Sequence, residues 1–276
     1  MPARDDAAAD LVLLEESVRE AGKIARSFFG GSYKKWDKGK GNPVTEADLA
    51  VDQFLREHLR AARPSYGWLS EETEDDTSRL TAEAVFVVDP IDGTVAFMKG
   101  RPHFTICAGV VSNGLPVAGV VYNPITDQSF TAHIAGGAHL NGAPIVVSRQ
   151  AVVENCRMLG DKPMISHAAW NNLPNVPWPA MQIETRNSIA YRMTLVADGE
   201  FDAMMALSAK HDWDLAAAEI IVSEAGGIVT THSGAELRYN RESTLQPSVV
   251  AAGPILHAQL MARVSHLNLS RTQGTT

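Results

Sequence analysis

The stretch Val85-Phe86-Val87-Val88-Asp89-Pro90-Ile91-Asp92-Gly93-Thr94 constrains this chain more than any other. Four apolar, mostly β-branched residues predict a buried strand. That strand runs into two carboxylates three residues apart, and a short helix is predicted from Thr94 to Lys99. Pro90 fixes its own φ and biases Asp89 toward extended backbone, so the first acid leaves the strand tip in a set direction. Ile91 offers a backbone carbonyl between the acids. Two carboxylates and a carbonyl make half of an all-oxygen Mg²⁺ site. The amides of Gly93 and Thr94 can then face an anion, with a helix dipole behind them. A divalent metal beside such a cradle suits phosphoryl-transfer chemistry. The competing interpretation is an acidic strand-to-turn corner, where Asp, Pro and Gly are common.

At 276 residues the chain is long enough for one large domain or two small ones. No apolar run approaches the length of a membrane span, so no membrane partner is expected. The N-terminus, Met-Pro-Ala-Arg-Asp-Asp, lacks the basic start and apolar core of a signal peptide. Cys107 and Cys156 are the only cysteines, which fits reduced thiols and a cytoplasmic location better than a disulfide framework. A formal net charge of −8 argues against a nucleic-acid polymer as partner. The same charge repels a phosphate ester, unless bound cations reverse it locally.

Leu11, Leu14, Val18, Ala21, Ile24, Ala25 and Phe28 recur at helical spacing over 6–29, and Gly30-Gly31 stop the helix. Lys34 to Asn42 is a basic, Gly-containing loop, either a solvated linker or a flap over a charged site. Thr45 is expected to cap a second helix reaching about Ala62, with Asp48 completing a capping box and Leu49, Phe54, Leu55 and Leu59 inward. Tyr66 to Ser70 reads as a short strand ending at Glu71-Glu72, and Thr73 to Arg79 as polar loop. Phe104–Val111 and Val117–Tyr122 are strands joined at the hairpin signal Asn113-Gly114. Gln128–Ala132 and the segment around Val146-Val147 extend the sheet, with a turn at Asn141-Gly142. Strands in succession without helices signal antiparallel pairing.

From Ala151 the pattern restarts. Arg157–Leu159 and Met181–Glu184 are strand candidates around a Pro- and Trp-rich connector, Leu173 to Pro179. Ser188–Ala197 reads as helix, Phe201–Ala206 as strand, and Leu215–Ala225 as an Ala-rich helix entered through His211-Asp-Trp-Asp214. Ile228–Thr231 and Val249–Ala252 are later strands, Pro254–Val264 is a final helix, and residues beyond Leu267 are polar and expected to fray.

Taken together, Pro43-Val44-Thr45-x-x-Asp48, Glu71-Glu72, Asp89-Pro-Ile-Asp-Gly-Thr94 and Trp213-Asp214-x-Ala216 resemble the inositol monophosphatase family of metal-dependent, lithium-sensitive phosphatases. The blocks occur in the family's order and span nearly the whole chain, which makes the match specific. The resemblance implies a mixed α+β and α/β fold, a five-layered α-β-α-β-α sandwich. It also implies an N-terminal α+β half over 1–150 and a C-terminal α/β half over 151–276, the latter supplying Asp214 and substrate contacts.

The implied activity is Mg²⁺-dependent hydrolysis of a small phosphate ester such as inositol monophosphate by a metal-activated water, without a phosphoenzyme. Two or three Mg²⁺ would be held by Glu71, Asp89, the Ile91 carbonyl, Asp92 and Asp214, with Asp89 bridging two of them. All-oxygen ligation favours Mg²⁺ over zinc. Glu71, Asp48 and Thr94 would be catalytic, Thr94 orienting the water and Asp48 accepting its proton. Gly93, Thr94, Arg186, Ser188 and Lys210 would contact substrate, and the protein would be a homodimer. Family members that cut inositol monophosphates place an acid a few residues before Trp-Asp; here that neighbourhood is Ala206-Leu207-Ser208-Ala209-Lys210, with no carboxylate. That departure resembles the branch acting on adenosine 3′,5′-bisphosphate, and histidinol phosphate is a further candidate. A silent metal- or phosphate-binding regulator is disfavoured because every ligand is present. A dinucleotide enzyme is disfavoured because no Gly-x-Gly-x-x-Gly follows a strand.

Overall fold

The computed structural model describes residues 4–39, 43–166 and 177–269. Helix α1 (Arg4–Phe28) leads to a two-stranded ribbon of β1 (Lys35–Asp37) and β2 (Pro43–Thr45), followed by α2 (Glu46–Ala62). Next come β3 (Gly67–Ser70), a 3₁₀ turn (Ser78–Thr81), β4 (Ala84–Asp92) and the short α3 (Thr94–Met98). Strands β5 (Thr105–Ser112), β6 (Leu115–Asn123), β7 (Gln128–His133), β8 (Gly137–Leu140) and β9 (Ala143–Pro144) follow by hairpins. They form one seven-stranded sheet in the order β3-β4-β5-β6-β7-β8-β9, antiparallel except for the β3/β4 pair. Asn113 and Gly114 close the β5–β6 hairpin at positive φ (53° and 77°), the backbone that the Asn-Gly pair selects.

The rest of the chain comprises β10 (Arg157–Leu159), α4 (Lys162–Ser166), β11 (Gln182–Glu184), α5 (Ile189–Ala197), β12 (Ala203–Ala206), β13 (Lys210–His211) and α6 (Asp212–Glu224). It ends with β14 (Ile228–Thr230), β15 (Leu245–Gln246), β16 (Val249–Ala252) and α7 (Pro254–Val264). A second sheet has the order β11-β10-β12-β16-β14, and β13 pairs with β15 as a separate ribbon.

Side-chain alternation along the strands assigns the layers. In β4, Phe86 and Val88 pack with Leu14, Val18, Leu55 and Leu59 of α1 and α2. Val85 and Val87 face the other way, into a core shared with α5 and α6. That middle core is closed from beyond by Leu159, Met204, Val249 and Ala251, while Met158, Met205, Val250 and Ala252 turn outward onto Leu256, Leu260 and Val264 of α7. The result is the α-β-α-β-α sandwich.

The alanines of α6 have a packing reason. Gly119 of β6 lies so close to the helix that an added Cβ would sit 2.5 Å from the Ala217 carbonyl oxygen. Small residues on both sides seat the helix against the sheet and thereby set where its first turn ends up.

Several expectations are corrected. Leu49 is 43% exposed, and Val51 takes the inward place because the buried face follows Ala47, Val51, Leu55 and Leu59. Val146-Val147 adds no strand: β9 ends at Pro144, Ile145 N makes a last bond to Ala138 O of β8, and Val147 N then turns away to donate to Ala225 O. Helix α6 starts at Asp212, three residues before the predicted start, so Trp213-Asp214 lies within its first turn. Leu269 is 8% exposed and joins the core under α7 instead of fraying. The predicted loop from Lys34 includes β1, while residues 40–42, like residues 173–176 of the connector, fall outside the described residues.

If α6 is seated by Gly119, then Gly119→Ala should cost about 2 kcal/mol, the usual range for overpacking against backbone. Urea unfolding would show it, and an unchanged midpoint would contradict this packing account.

Candidate active site

Residues three apart on a regular strand point to opposite faces. Asp89 and Asp92 escape this because β4 is irregular: Asp89 pairs with Cys107 and Asp92 with Thr105, with a register shift between them. Pro90 contributes no N–H, and the free Ile91 N–H donates to Asp89 Oδ1 at 3.0 Å. Gly93 then turns the chain at φ 96°, where a Cβ would lie 3.0 Å from His103 O and 3.1 Å from Ser188 N. Only glycine fits that corner without strain.

Asp214 arrives from α6. It occupies the third position of the helix and reaches back to accept from His211 N at 2.8 Å. Oxygens of Asp89, Asp92 and Asp214 thus lie within 4.8 Å of one another. Among the described residues none of the three forms an ion pair with a basic side chain. Three buried or half-buried carboxylates with oxygen donors only, and no ion-paired basic side chain among the described residues, fit a hard divalent cation.

Asp48 occupies the third position of α2, and its Oδ2 accepts from Thr45 N (2.8 Å) and Thr45 Oγ1 (2.5 Å). The Thr94 hydroxyl bridges toward it, 3.2 Å from Asp48 Oδ1 and 3.1 Å from the Ile91 carbonyl. Glu71 follows β3, with its N–H on Val88 O at 3.3 Å. It stands outside the carboxylate triad, its Oε1 taken by Lys38 Nζ at 3.0 Å, and Lys38 also pairs with Glu72 at 2.8 Å. Lys38 therefore ties the described part of the basic loop to the two glutamates.

Ser188, expected against substrate, is fully buried. Its hydroxyl donates to Asp92 Oδ2 (2.6 Å) and accepts from Tyr191 N (2.9 Å). Asp92 also accepts from Ile189 N (3.2 Å) and Ala190 N (2.7 Å), so the start of α5 grips this acid. Arg186 turns toward Glu184 at 2.8 Å and lies over the Phe201 ring. Lys210 bonds Ser208 Oγ (2.9 Å) and lines a cleft of about 400 Å³ with Arg192, Asn187 and Asp161. Arg192 was missed from sequence; its place on α5, one turn beyond Ser188, was the available signal.

Burial raises every acid of the cluster. The Asp214 carboxyl is pushed up to about 8 by burial and then by the Asp92 charge. Asp89 is raised well above the ordinary range by burial and by Glu71, Asp92 and Asp214. Asp92 rises only to about 6, because Ser188 and the α5 amides oppose the effect of burial. Asp48 stands at about 6, burial outweighing its bonds to Thr45.

The protein thus combines an α-β-α-β-α sandwich with buried, converging carboxylates beside a Gly-Thr corner. The inositol monophosphatase family model matches residues 7–269. Inositol monophosphatase 2 of Solanum lycopersicum is 35% identical over 230 residues, 80% of this chain and 86% of that protein. The 3′(2′),5′-bisphosphate nucleotidase CysQ of Aggregatibacter actinomycetemcomitans is 33% identical over 255 residues, covering 85% and 89%. Among solved structures, the extragenic suppressor protein suhB of Bartonella henselae superposes with a TM-score of 0.80 at 27% identity, covering 94% of this chain and 99% of that one. This chain belongs to the inositol monophosphatase family.

The raised acids fix a pH dependence for the metal-free protein. Their folded values exceed the unfolded value of about 4, so the folded state holds the extra protons. The stability they contribute is complete below about pH 4 and is lost as pH rises through about 6 (Asp48, Asp92) and about 8 (Asp214). Thermal melts in EDTA should therefore fall from about pH 5 to 8. Saturating Mg²⁺ should restore them most at the alkaline end, where the carboxylates are ionised. A flat EDTA profile would contradict the assignment.

Proposed function

We infer that this phosphatase is Mg²⁺-dependent and hydrolyses inositol monophosphate. The convergence of Asp89, Asp92 and Asp214 oxygens within 4.8 Å, with no basic partner among the described residues, carries the cation half of that inference, and the likeness to inositol monophosphatases the substrate half. Those acids, Glu71 and the Ile91 carbonyl would hold two or three Mg²⁺. When bound, the cations neutralise the carboxylates, polarise the phosphoryl group and make water a stronger nucleophile. Gly93 and Thr94 orient the phosphoryl oxygens. The Thr94 hydroxyl, 3.2 Å from Asp48 Oδ1, aligns the attacking water, and Asp48 takes its proton. An acid raised to about 6 is suited to that exchange near neutral pH. Water oxygen bonds to phosphorus as the bond from phosphorus to the ester oxygen breaks; the alkoxide takes a proton from solvent, and Asp48 returns its proton to solvent. Ser188 serves as a positioning residue for Asp92, and the boundary near residue 150 as a subdivision of one unit, since the site draws on both halves. Lithium inhibition, a cytoplasmic location and a homodimer complete the proposal; the buried free thiols Cys107 and Cys156 accord with a reducing compartment.

A second substrate, adenosine 3′,5′-bisphosphate, is favoured by the cleft next to the acids. Arg192 and Lys210 line it, and Leu207 presents no carboxylate to ring hydroxyls. Two cations suit a further phosphate better than an uncharged polyol. The likeness to the bisphosphate nucleotidase supports the same substrate. Histidinol phosphate, with its cationic side, suits that cleft less well.

Asp92→Asn should abolish Mg²⁺-dependent turnover, by more than about a hundredfold, since even outer-shell partners of metal ligands are worth 10–100-fold. Its circular dichroism should stay unchanged; near-normal kcat would refute the assignment. On a panel of inositol 1-phosphate, adenosine 3′,5′-bisphosphate and histidinol phosphate, with and without lithium, kcat/KM decides the substrate. Lys210→Ala should cost about tenfold on the bisphosphate and little on inositol 1-phosphate. Equal losses on both would remove the second reading.

A further inference from the structure

Asp52 lies one helical turn beyond Asp48 on α2, is 7% exposed, and has no role in the chemistry described above. Its two oxygens are both occupied. Oδ1 accepts from Ser70 Oγ at 2.5 Å and Oδ2 from Thr73 Oγ1 at 2.7 Å. These two hydroxyls bracket Glu71-Glu72. The hydroxyls are themselves engaged, Ser70 Oγ accepting from Glu72 N (3.3 Å) and Thr73 Oγ1 from Trp68 Nε1 (3.3 Å). Strand β3 ends at Ser70, the Glu71 N–H makes a last bond to Val88 O of β4, and beyond it the segment leaves the sheet ladder.

A carboxylate is the side chain that can accept from both hydroxyls at once. An amide in the same place offers one acceptor and one donor, and an apolar residue offers neither. Among the described residues Asp52 forms no ion pair, and a buried carboxylate in that position is costly unless it is fully hydrogen-bonded. We propose that Asp52 is a positioning residue that locks the Glu71-Glu72 turn onto α2 and so sets Glu71 at the edge of the cation site. Helix α2 then holds two parts of the site from consecutive turns, Asp48 toward Thr94 and Asp52 toward Glu71. This inference rests on the proposed role of Glu71 in holding Mg²⁺.

The test is calorimetric Mg²⁺ binding to the full-length protein, with activity against Mg²⁺ concentration and a thermal melt beside it. Asp52→Asn should weaken Mg²⁺ binding and raise the half-activating Mg²⁺ concentration by about tenfold, as expected for an outer-shell partner. Its kcat at saturating Mg²⁺ should stay within about threefold of wild type, since the direct ligands are intact. A lowered melting temperature with Mg²⁺ affinity unchanged within about twofold would overturn the proposal and leave Asp52 a purely structural residue. Should Asp52→Asn fail to fold, Thr73→Val and Ser70→Ala each remove one contact. Each should then weaken Mg²⁺ binding by about threefold, roughly the square root of the tenfold loss; wild-type affinity in both would again overturn the proposal. Wild-type protein that binds no Mg²⁺ would sink the cation site itself and this inference with it, a result distinct from tight binding indifferent to Asp52.

Discussion

Unit negative charges about 4 Å apart repel by roughly 4 kcal/mol at intermediate dielectric, and this protein collects several of them in a poorly hydrated pocket. Three helix N-termini make that tolerable. Asp48 and Asp214 each occupy the third position of a helix and turn back onto the N–H of its capping residue. Asp92, from another element, receives two amides and the capping hydroxyl of α5. Aligned peptide dipoles and free first-turn N–H groups stabilise an acid by about 0.3–1 kcal/mol each, more when partly buried. Asp89 has no helix start of its own and is raised far above the ordinary carboxylate range. What the helices leave uncompensated is the electrostatic demand that a bound cation would meet.

The layers exist to bring those helix starts to one point. Helices α5 and α6 lie between the two sheets, and α6 presses on Gly119 of the first. Helix α2 covers the opposite face of that sheet, yet its first turn also reaches the site, through Thr94 beyond the end of β4. The irregular stretch at Pro90 is the point where the two faces meet, because it sends two acids three residues apart to the same side. A regular strand there would have left one acid in the core.

Much of this was legible locally. The capping box at Thr45, the Asn113-Gly114 hairpin, the bounds of β10 and α7, and the helix capped by Ser188 all follow from short-range chemistry that a tertiary fold need not modify. Two of the errors share a cause, which is that local pattern does not say which neighbour covers a face. Leu49 looked inward because it is apolar, though the buried stripe of α2 passes through Val51. Val147 looked like strand because it is β-branched, though its N–H goes to the end of α6. Ser188 was assigned to substrate as part of a motif; only the fold shows its hydroxyl facing Asp92.

By itself, the sequence determined the chemical inventory: which residues carry carboxylates, which positions demand glycine and which segments start helices; the phosphatase class came from the resemblance of its four motif blocks to a known family. Those are properties of side chains and of a few adjacent dihedrals. Only the tertiary structure decided that α5 would hold Asp92, that Lys38 would lean on Glu71 and Glu72, and that Asp52 would latch the turn between them. Such contacts join residues up to 98 positions apart, as in the bond from Ala190 to Asp92. No local propensity encodes them, because they follow from how whole layers pack.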